Sequence, residues 1–525
     1  MGEYGGMDQP WRSDACSLVD AFRAGERSPV EEVEATLAAI EASDLNCFSF
    51  LDPERALDAA RSADLTLPFG GVPVGIKELE SLEGWPATEA SLVFKDRIAT
   101  TTTTVVDTLL TRGGAVPVGL TNASEFGGLN VSITKLNGVT HNPWQHGRTV
   151  GGSSGGSAAA VSGGLVTVAT GGDGGGSLRI PAGYTGLVGF KGTYGRIPRG
   201  PKSYFRPGTV VLGCLARSVR DLARYYDVCA GTDVRDPWSL PSAGTWERDL
   251  GTHDLKGKTF AVLPALGGVT LEPGVEARIR ESAVALAAAT GMREVEIELD
   301  LPNLAAQWMM GNLATLLADL DDRWPACSDE LTDEVAVGLR LSQSLYNLNT
   351  AAVAEAQRIE ANEVMAKAFE QVDFIVAATN PGPAFPADAV MSNPQESFID
   401  WAKSNGAAKV GFKGAMTAVR VVAGAFPKMP NTVLDQASRR FPDLVSMGAL
   451  TIISNIYGNP AVSLPGGLVD GLPVGMQVLA RHHQDDVLFD LSLAAERELD
   501  WPRMAPDALA GAGSGVARKT DARLA

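Results

Sequence analysis

Two glycine- and serine-rich stretches restrict this chain more than any other feature: Gly151-Gly152-Ser153-Ser154-Gly155-Gly156-Ser157, and Gly171-Gly172-Asp173-Gly174-Gly175-Gly176-Ser177-Leu178-Arg179. Glycine reaches backbone angles closed to other L residues and lets two backbones approach closely, so such runs mark tight junctions between packed elements. Three uses of such a junction are open. A Gly-rich loop opening a helix can cradle phosphate through its N–H groups. Neither stretch, however, continues to Gly-Lys-Ser/Thr or has the spacing of a dinucleotide fingerprint. Plain turns between elements are the second use. In the third, the N–H groups of Gly174, Gly175 and Gly176, just ahead of Ser177, surround a developing oxyanion, where each donor typically contributes about 3 kcal/mol to transition-state stabilisation.

The elements around these junctions alternate in type. Helical spacing runs over residues 15–43 (Leu18, Phe22, then Val33, Leu37, Ile40), with Ser28-Pro29 as cap and first turn. Strand-like runs lie at 72–76, 115–120, 165–169, 259–263, 374–378 and 474–479, and long helical patterns at 276–290, 351–372 and 486–499. This order predicts an α/β fold, a central mixed or largely parallel sheet covered by helices on both faces. Residues 300–450 differ: they are helix-dominated and hold Trp308, Met309, Met310, Trp324, Trp401 and Met429. They form either a helical subdomain with its own core or a roof on the substrate side. The expected division is an N-terminal helical segment at 1–65, one main domain at 66–510 and a disordered tail at 511–525.

With 525 residues, 45% of them hydrophobic, the chain has ample material for a large core. Its net charge of −18 repels polyanions, which argues against nucleic-acid partners. Five scattered cysteines (Cys16, Cys47, Cys214, Cys229, Cys327) show neither CxxC nor paired His/Cys spacing, and read as reduced, packed thiols. The first residues lack a basic and an apolar signal region, and the longest uncharged stretch is broken by Gly and Ser. A cytoplasmic protein with no membrane span is expected.

A serine hydroxyl needs a base. The five histidines (His141, His146, His253, His482, His483) sit in turn-like or polar surroundings, and a Ser-His-Asp triad assembled in space stays open for them. Lys77 is the better candidate. It ends Gly71-Val72-Pro73-Val74-Gly75-Ile76-Lys77, an apolar run in which burial lowers a lysine pKa from about 10.4 towards neutrality, as a general base requires. Glu78 and Glu80 complicate this, because a carboxylate close to the ammonium keeps it charged. Along a strand Glu78 points to the opposite face, whereas Glu80 has to be turned away or otherwise paired.

These residues resemble the amidase signature family of serine hydrolases. The likeness rests on 71–77, on Gly119-Leu120-Thr121-Asn122-Ala123-Ser124-Glu125-Phe126, on the block 137–196 that holds both glycine-rich stretches, and on Gly458-Asn459-Pro460-Ala461-Val462-Ser463-Leu464-Pro465 and Gly471-Leu472-Pro473-Val474-Gly475-Met476-Gln477. It covers most of the chain outside 300–450. The resemblance implies the amidase signature fold and a Ser-Ser-Lys triad: Lys77 as base, Ser153 on a cis peptide as the bridging serine, and Ser177, 24 residues on, as nucleophile. It further implies an oxyanion hole from the Gly174–Gly176 loop, support from Ser154, Asp173 and Arg179, and no metal or other cofactor.

Departures from the family pattern include Gly172 before the Asp, Glu78 for the usual Asp, Gly183-Tyr184-Thr185 for Ala-Phe-Cys, and Cys214 for Pro. None falls on the triad. Gly128, within Gly127-Gly128-Leu129-Asn130, and Tyr184 are the candidates to line the acyl pocket. The implied activity is hydrolysis of small or aryl amides, and of anilides, esters or carbamates, by a free-standing enzyme akin to aryl acylamidases and urethanases. A homodimer is left open. The alternative is the glutaminase component of a tRNA-dependent amidotransferase; against it, Thr209-Val210-Val211-Leu212 stands where that component usually carries Ser-Xaa-Asp-Gln. A silent binding protein on the same scaffold is a third reading. With lysine as base, activity should rise from neutral to alkaline pH in a rate profile; a maximum near pH 5 would contradict the assignment of Lys77.

Overall fold

The computed structural model describes residues 8–202, 208–302, 304–345, 347–388 and 448–506. Helices α1 (Ala15–Ala24), α2 (Pro29–Ala42) and α3 (Pro53–Arg61) surround strand β1 (Phe48–Leu51). Next come β2 (Pro73–Lys77), α4 (Thr104–Thr111), β3 (Val116–Thr121) and a small hairpin of β4 (Ile133–Thr134) and β5 (Gly138–Val139). The site-bearing stretch is α5 (Gly155–Ser162), β6 (Val168–Asp173), α6 (Arg179–Thr185), β7 (Val188–Lys191), β8 (Val211–Ala216) and α7 (Val219–Cys229). Then follow β9 (Thr259–Val262), α8 (Val275–Thr290), β10 (Arg293–Glu294), α9 (Ala305–Leu320), α10 (Asp333–Leu345), α11 (Leu348–Gln371) and β11 (Phe374–Ala378). After 448 the described elements are α12 (Ile452–Tyr457), β12 (Ala461–Val469), β13 (Leu472–Ala480) and α13 (Asp485–Leu499).

Eleven strands form one mixed sheet in the order β1-β3-β2-β6-β8-β7-β12-β13-β11-β9-β10. β2 runs parallel to β3 and β6, whereas β8, β7, β12 and β13 pair antiparallel in succession. Every residue of β13 is buried, as expected of a central strand covered on both faces. The α/β expectation therefore holds. So does the Ser28-Pro29 start of α2: Ser28 Oγ accepts from Glu31 N–H at 3.2 Å, and the Glu31 carboxylate accepts from Ser28 N–H at 2.7 Å.

Two differences from the sequence reading have physical causes. The segment 1–65 is not purely helical, because β1 joins the sheet by antiparallel pairing with β3. β6 covers 168–173 instead of 165–169, carrying two glycines to the C-terminal end of the strand. A Cβ on Gly171 would stand 2.7 Å from Leu178 Cδ2 and 3.0 Å from Ser154 Oγ, so the glycine lets the two glycine-rich stretches meet there. In the 300–450 region, α9 and α10 build a separate cluster of Leu316, Leu320, Leu331, Val335 and Leu339 with Phe94. A buried carboxylate ties it to the main body: Glu125 accepts from Thr332 N–H and Oγ1 at 2.7 Å each and from Ser91 Oγ at 2.6 Å. Trp308, Met309 and Met310 lie on α9, while Trp401, Met429 and the tail 511–525 lie outside the described residues.

All five cysteines are free and buried. Among the described residues, no helix is long and apolar enough to cross a membrane. The principal core joins both halves of the sheet, and Phe190 of β7 stacks on Phe489 of α13 with ring centroids 4.0 Å apart. Phe489→Ala should destabilise the protein by about 3–5 kcal/mol in urea unfolding; a loss below about 1 kcal/mol would mean this contact does not join the halves.

Candidate active site

Lys77 closes β2, a strand buried at all five residues. Its backbone N–H donates to Thr170 Oγ1 at 2.9 Å, and its Nζ lies 2.8 Å from both Ser153 Oγ and Ser154 Oγ. Ser154 Oγ in turn donates to the Gly172 carbonyl at 3.3 Å. Its proton is thus committed, and towards Lys77 it can only accept. A neutral Lys77 satisfied in this way directs an N–H at Ser154 and keeps its lone pair for the hydroxyl of Ser153. Burial drives the Lys77 pKa down; Glu80, Asp173, Glu78 and Glu89 push it back up, and the net shift is downward. Glu78 is indeed turned away, its carboxylate accepting from Ala123 N–H at 2.6 Å and Asn137 Nδ2 at 2.9 Å.

Ser153 follows a cis Gly152–Ser153 peptide and precedes Ser154, the cap residue of α5. The flanking glycines are dictated by contact. A Cβ on Gly152 would come within 2.6 Å of Val131 N and 2.7 Å of Leu129 O, and one on Gly156 would strike the Asn122 backbone. Ser157 has a structural part, with its Oγ 2.7 Å from Thr121 Oγ1 and donating to Thr170 O at 2.8 Å.

Ser177 sits in the turn between β6 and α6 and is 6% exposed. The turn is shaped by Asp173, whose carboxylate accepts from Gly176 N–H (2.7 Å), Leu178 N–H (3.2 Å), Asn455 Nδ2 (2.9 Å) and Arg179 Nε and Nη2 (3.0 Å each). Arg179, fully buried, also donates to Thr451 O at 2.9 Å, Ser454 Oγ at 2.7 Å, Asn455 Oδ1 at 2.6 Å and Gln477 Oε1 at 3.2 Å. Burial alone would raise the Asp173 pKa, but the Arg179 guanidinium overrides it and holds the carboxyl well below the usual carboxylate range. Thr451 Oγ1 donates to Gly175 O at 2.6 Å and fixes the loop from the other side.

The structure thus brings Lys77, Ser153, Ser154, Asp173 and Arg179 into one connected region beside the Ser177 turn. Two expectations change. The Gly176 N–H is consumed by Asp173, so of the expected loop glycines this one does not offer its N–H to an oxyanion. Tyr184 is 1% exposed and packs with Ile180, Ala384 and Leu472, its ring edge-on to Phe385 at 6.0 Å. It is a core residue behind Gly151 and does not line an open acyl pocket. The Gly127-Gly128 turn is placed at the site: a Cβ on Gly127 would lie 3.4 Å from Ser153 Oγ, and one on Gly128 would lie 4.0 Å from Val335 Cγ2.

The histidines lie elsewhere. His482 Nε2 meets Tyr457 O, His253 meets Asp490, and His141 stacks on His146. No group of three or more His, Cys, Asp or Glu suited to a metal occurs among the described residues. Sequence reasoning missed Thr451, Ser454 and Asn455, which grip Arg179 from more than 270 positions away. Gln477, by contrast, closes a stretch already matched to the family.

A lysine and two serines thus converge at the ends of β2 and β6 and the head of α5. The amidase family model matches residues 31–410, and the chain belongs to the amidase family. It is 30% identical to a glutamyl-tRNA(Gln) amidotransferase component of Salinispora tropica, over 92% of this chain and 96% of that protein. A 6-aminohexanoate cyclic dimer hydrolase solved with its substrate is 25% identical, with a TM-score of 0.80 over 95% of this chain and 99% of that one. A bacterial aryl acylamidase shares the fold, with a TM-score of 0.80 at 24% identity over 96% and 99% of the two chains.

Arg179→Met would leave Asp173 buried and unpaired, so unfolding in urea at pH 8 should lose about 3–5 kcal/mol of stability. A change below about 1 kcal/mol would show that the pair is not what holds the loop.

Proposed function

We propose that this chain breaks the C–N bond of a carboxylic amide through an acyl-enzyme on Ser177. The observation that carries the reading is Lys77 Nζ at 2.8 Å from Ser153 Oγ, buried and lowered in pKa, with the neighbouring Ser154 tied to Gly172 at the foot of the Ser177 turn. The Ser177 hydroxyl proton passes to Ser153 as the proton of Ser153 passes to Lys77. Ser177 Oγ attacks the carbonyl carbon, and the N–H groups of Gly175 and Ser177 hold the oxyanion. Collapse expels the amine, which takes a proton back through Ser153, leaving the ester on Ser177. Water, or another acceptor activated by the same relay, then releases the acyl group and restores the hydroxyl.

Two amide donors are distinguished by separate observations. The amidotransferase relative at 30% identity supports glutamine, with this chain as the ammonia-releasing component of such a complex. This support is stronger than that for the free-standing enzyme expected from the motifs. The free-standing reading keeps two supports: the likeness to the cyclic dimer hydrolase at 25% identity, and Val210, whose Cγ2 lies 3.2 Å from the position of a Cβ on Gly174 and sets an apolar side chain beside the loop. In both readings the chain works in the cytoplasm, where its five thiols stay reduced.

Hydrolysis of glutamine, 4-nitroacetanilide, an aliphatic amide and an aryl carbamate by wild type and Ser177→Ala tests the reading. Turnover of at least one amide, reduced at least about a thousandfold in Ser177→Ala, is expected. Ammonia from glutamine alone identifies the amidotransferase component, and anilide or carbamate turnover identifies the free-standing amidase. Amide turnover that survives Ser177→Ala would overturn the mechanism.

A further inference from the structure

A carboxylate that the relay does not use stands behind Lys77. Glu80 lies in the turn after β2, its N–H donating to the Lys77 carbonyl at 2.8 Å. It is 5% exposed, and its Oε2 is buried without a hydrogen-bond partner. The Thr170 hydroxyl supports the Glu80 carboxylate, and the oxygen of that hydroxyl also accepts the Lys77 backbone N–H at 2.9 Å. Thr170 therefore links the two residues.

Four acids act on Lys77 through their charge, and three of them are engaged elsewhere. Asp173 is paired with Arg179, Glu89 with Arg97 at 2.9 Å, and Glu78 is bound by Ala123 and Asn137. Among the described residues Glu80 has no such cation; the charged group acting on it is Lys77 itself. The other titratable groups beside it are Cys214 on β8 and Tyr225 and Cys229 on α7, and burial keeps all three protonated. α5, which packs over Lys77, carries no titratable side chain.

We propose that Glu80 is a positioning residue which, linked to Lys77 by Thr170, sets the pH at which Lys77 becomes a free base. This rests on the reading of Lys77 as the base of an amidase. A negative Glu80 favours the lysine ammonium and opposes the desolvation that favours the amine. Burial in turn favours the protonated form of Glu80, so the two groups titrate as a pair. Removing the Glu80 charge takes away the largest of the four influences that oppose desolvation, and Lys77 then loses its proton at lower pH.

The test is the pH profile of kcat/KM for wild type, Glu80→Gln, Thr170→Val and Thr170→Ser, with whichever of glutamine and 4-nitroacetanilide is turned over. In Glu80→Gln the acidic limb should move to lower pH by about one unit, with the alkaline plateau retained. Thr170→Val should move it in the same direction, and Thr170→Ser, which keeps the hydroxyl, should leave it in place. If Glu80→Gln shows no thermal unfolding transition, the Thr170 pair decides. A limb that stays put while the plateau falls at every pH would overturn the inference and leave Glu80 a packing residue. Turnover that survives Ser177→Ala removes the underlying reading, and this inference with it, so the two failures are told apart.

Discussion

The buried Asp173–Arg179 pair is the contact on which the rest of the site depends. Both side chains are shut off from solvent, so each charge must be answered inside the protein. Asp173 is answered by the turn that carries Ser177, and Arg179 by α12 and β13. One ion pair therefore fixes the Ser177 turn and fastens it to a part of the chain remote in sequence. Because Asp173 captures the Gly176 N–H, it also determines which N–H groups remain for a developing oxyanion.

The sheet places the other half of the chemistry. β2 and β6 run parallel and adjacent, so their C-terminal ends present Lys77 and the Ser177 turn on the same side. α5 begins at that end with Ser153 and Ser154 against the Lys77 amine. Glycines at 152, 156 and 171 permit this convergence, because a Cβ at any of them would run into backbone or side chain. The result is an amine inside an apolar strand end, held by hydroxyls and by no ion pair within 4.0 Å among the described residues. Burial can therefore lower its proton affinity.

Much of this is written in local sequence. The two glycine-rich stretches and the lysine at the end of an apolar run carry their meaning within a few residues, and the alternation of helical and strand patterns is enough for the fold class. What escapes lies in contacts between distant segments or in strands with broken patterns. β12 contains Pro465, Gly466 and Gly467 and an irregular register, so it does not read as a strand of nine residues. Asn455 meets Arg179 across 276 positions, which no spacing rule anticipates. Tyr184, within a departure from the family pattern, reads as a pocket residue, but the turns of α6 carry it into the core. Gly176 reads as part of the oxyanion hole because glycine permits that geometry; Asp173, three residues earlier, competes for the same N–H.

The central claim is that a buried neutral Lys77 activates Ser177 through Ser153. The most direct measurement is intact-mass and peptide mass spectrometry after exposure to phenylmethanesulfonyl fluoride at pH 8, for wild type, Lys77→Ala and Ser153→Ala. A single sulfonyl adduct on the peptide containing Ser177 in wild type, absent from both variants, is the predicted result. An adduct on another residue, or one that forms at the wild-type rate without Lys77, would contradict the account.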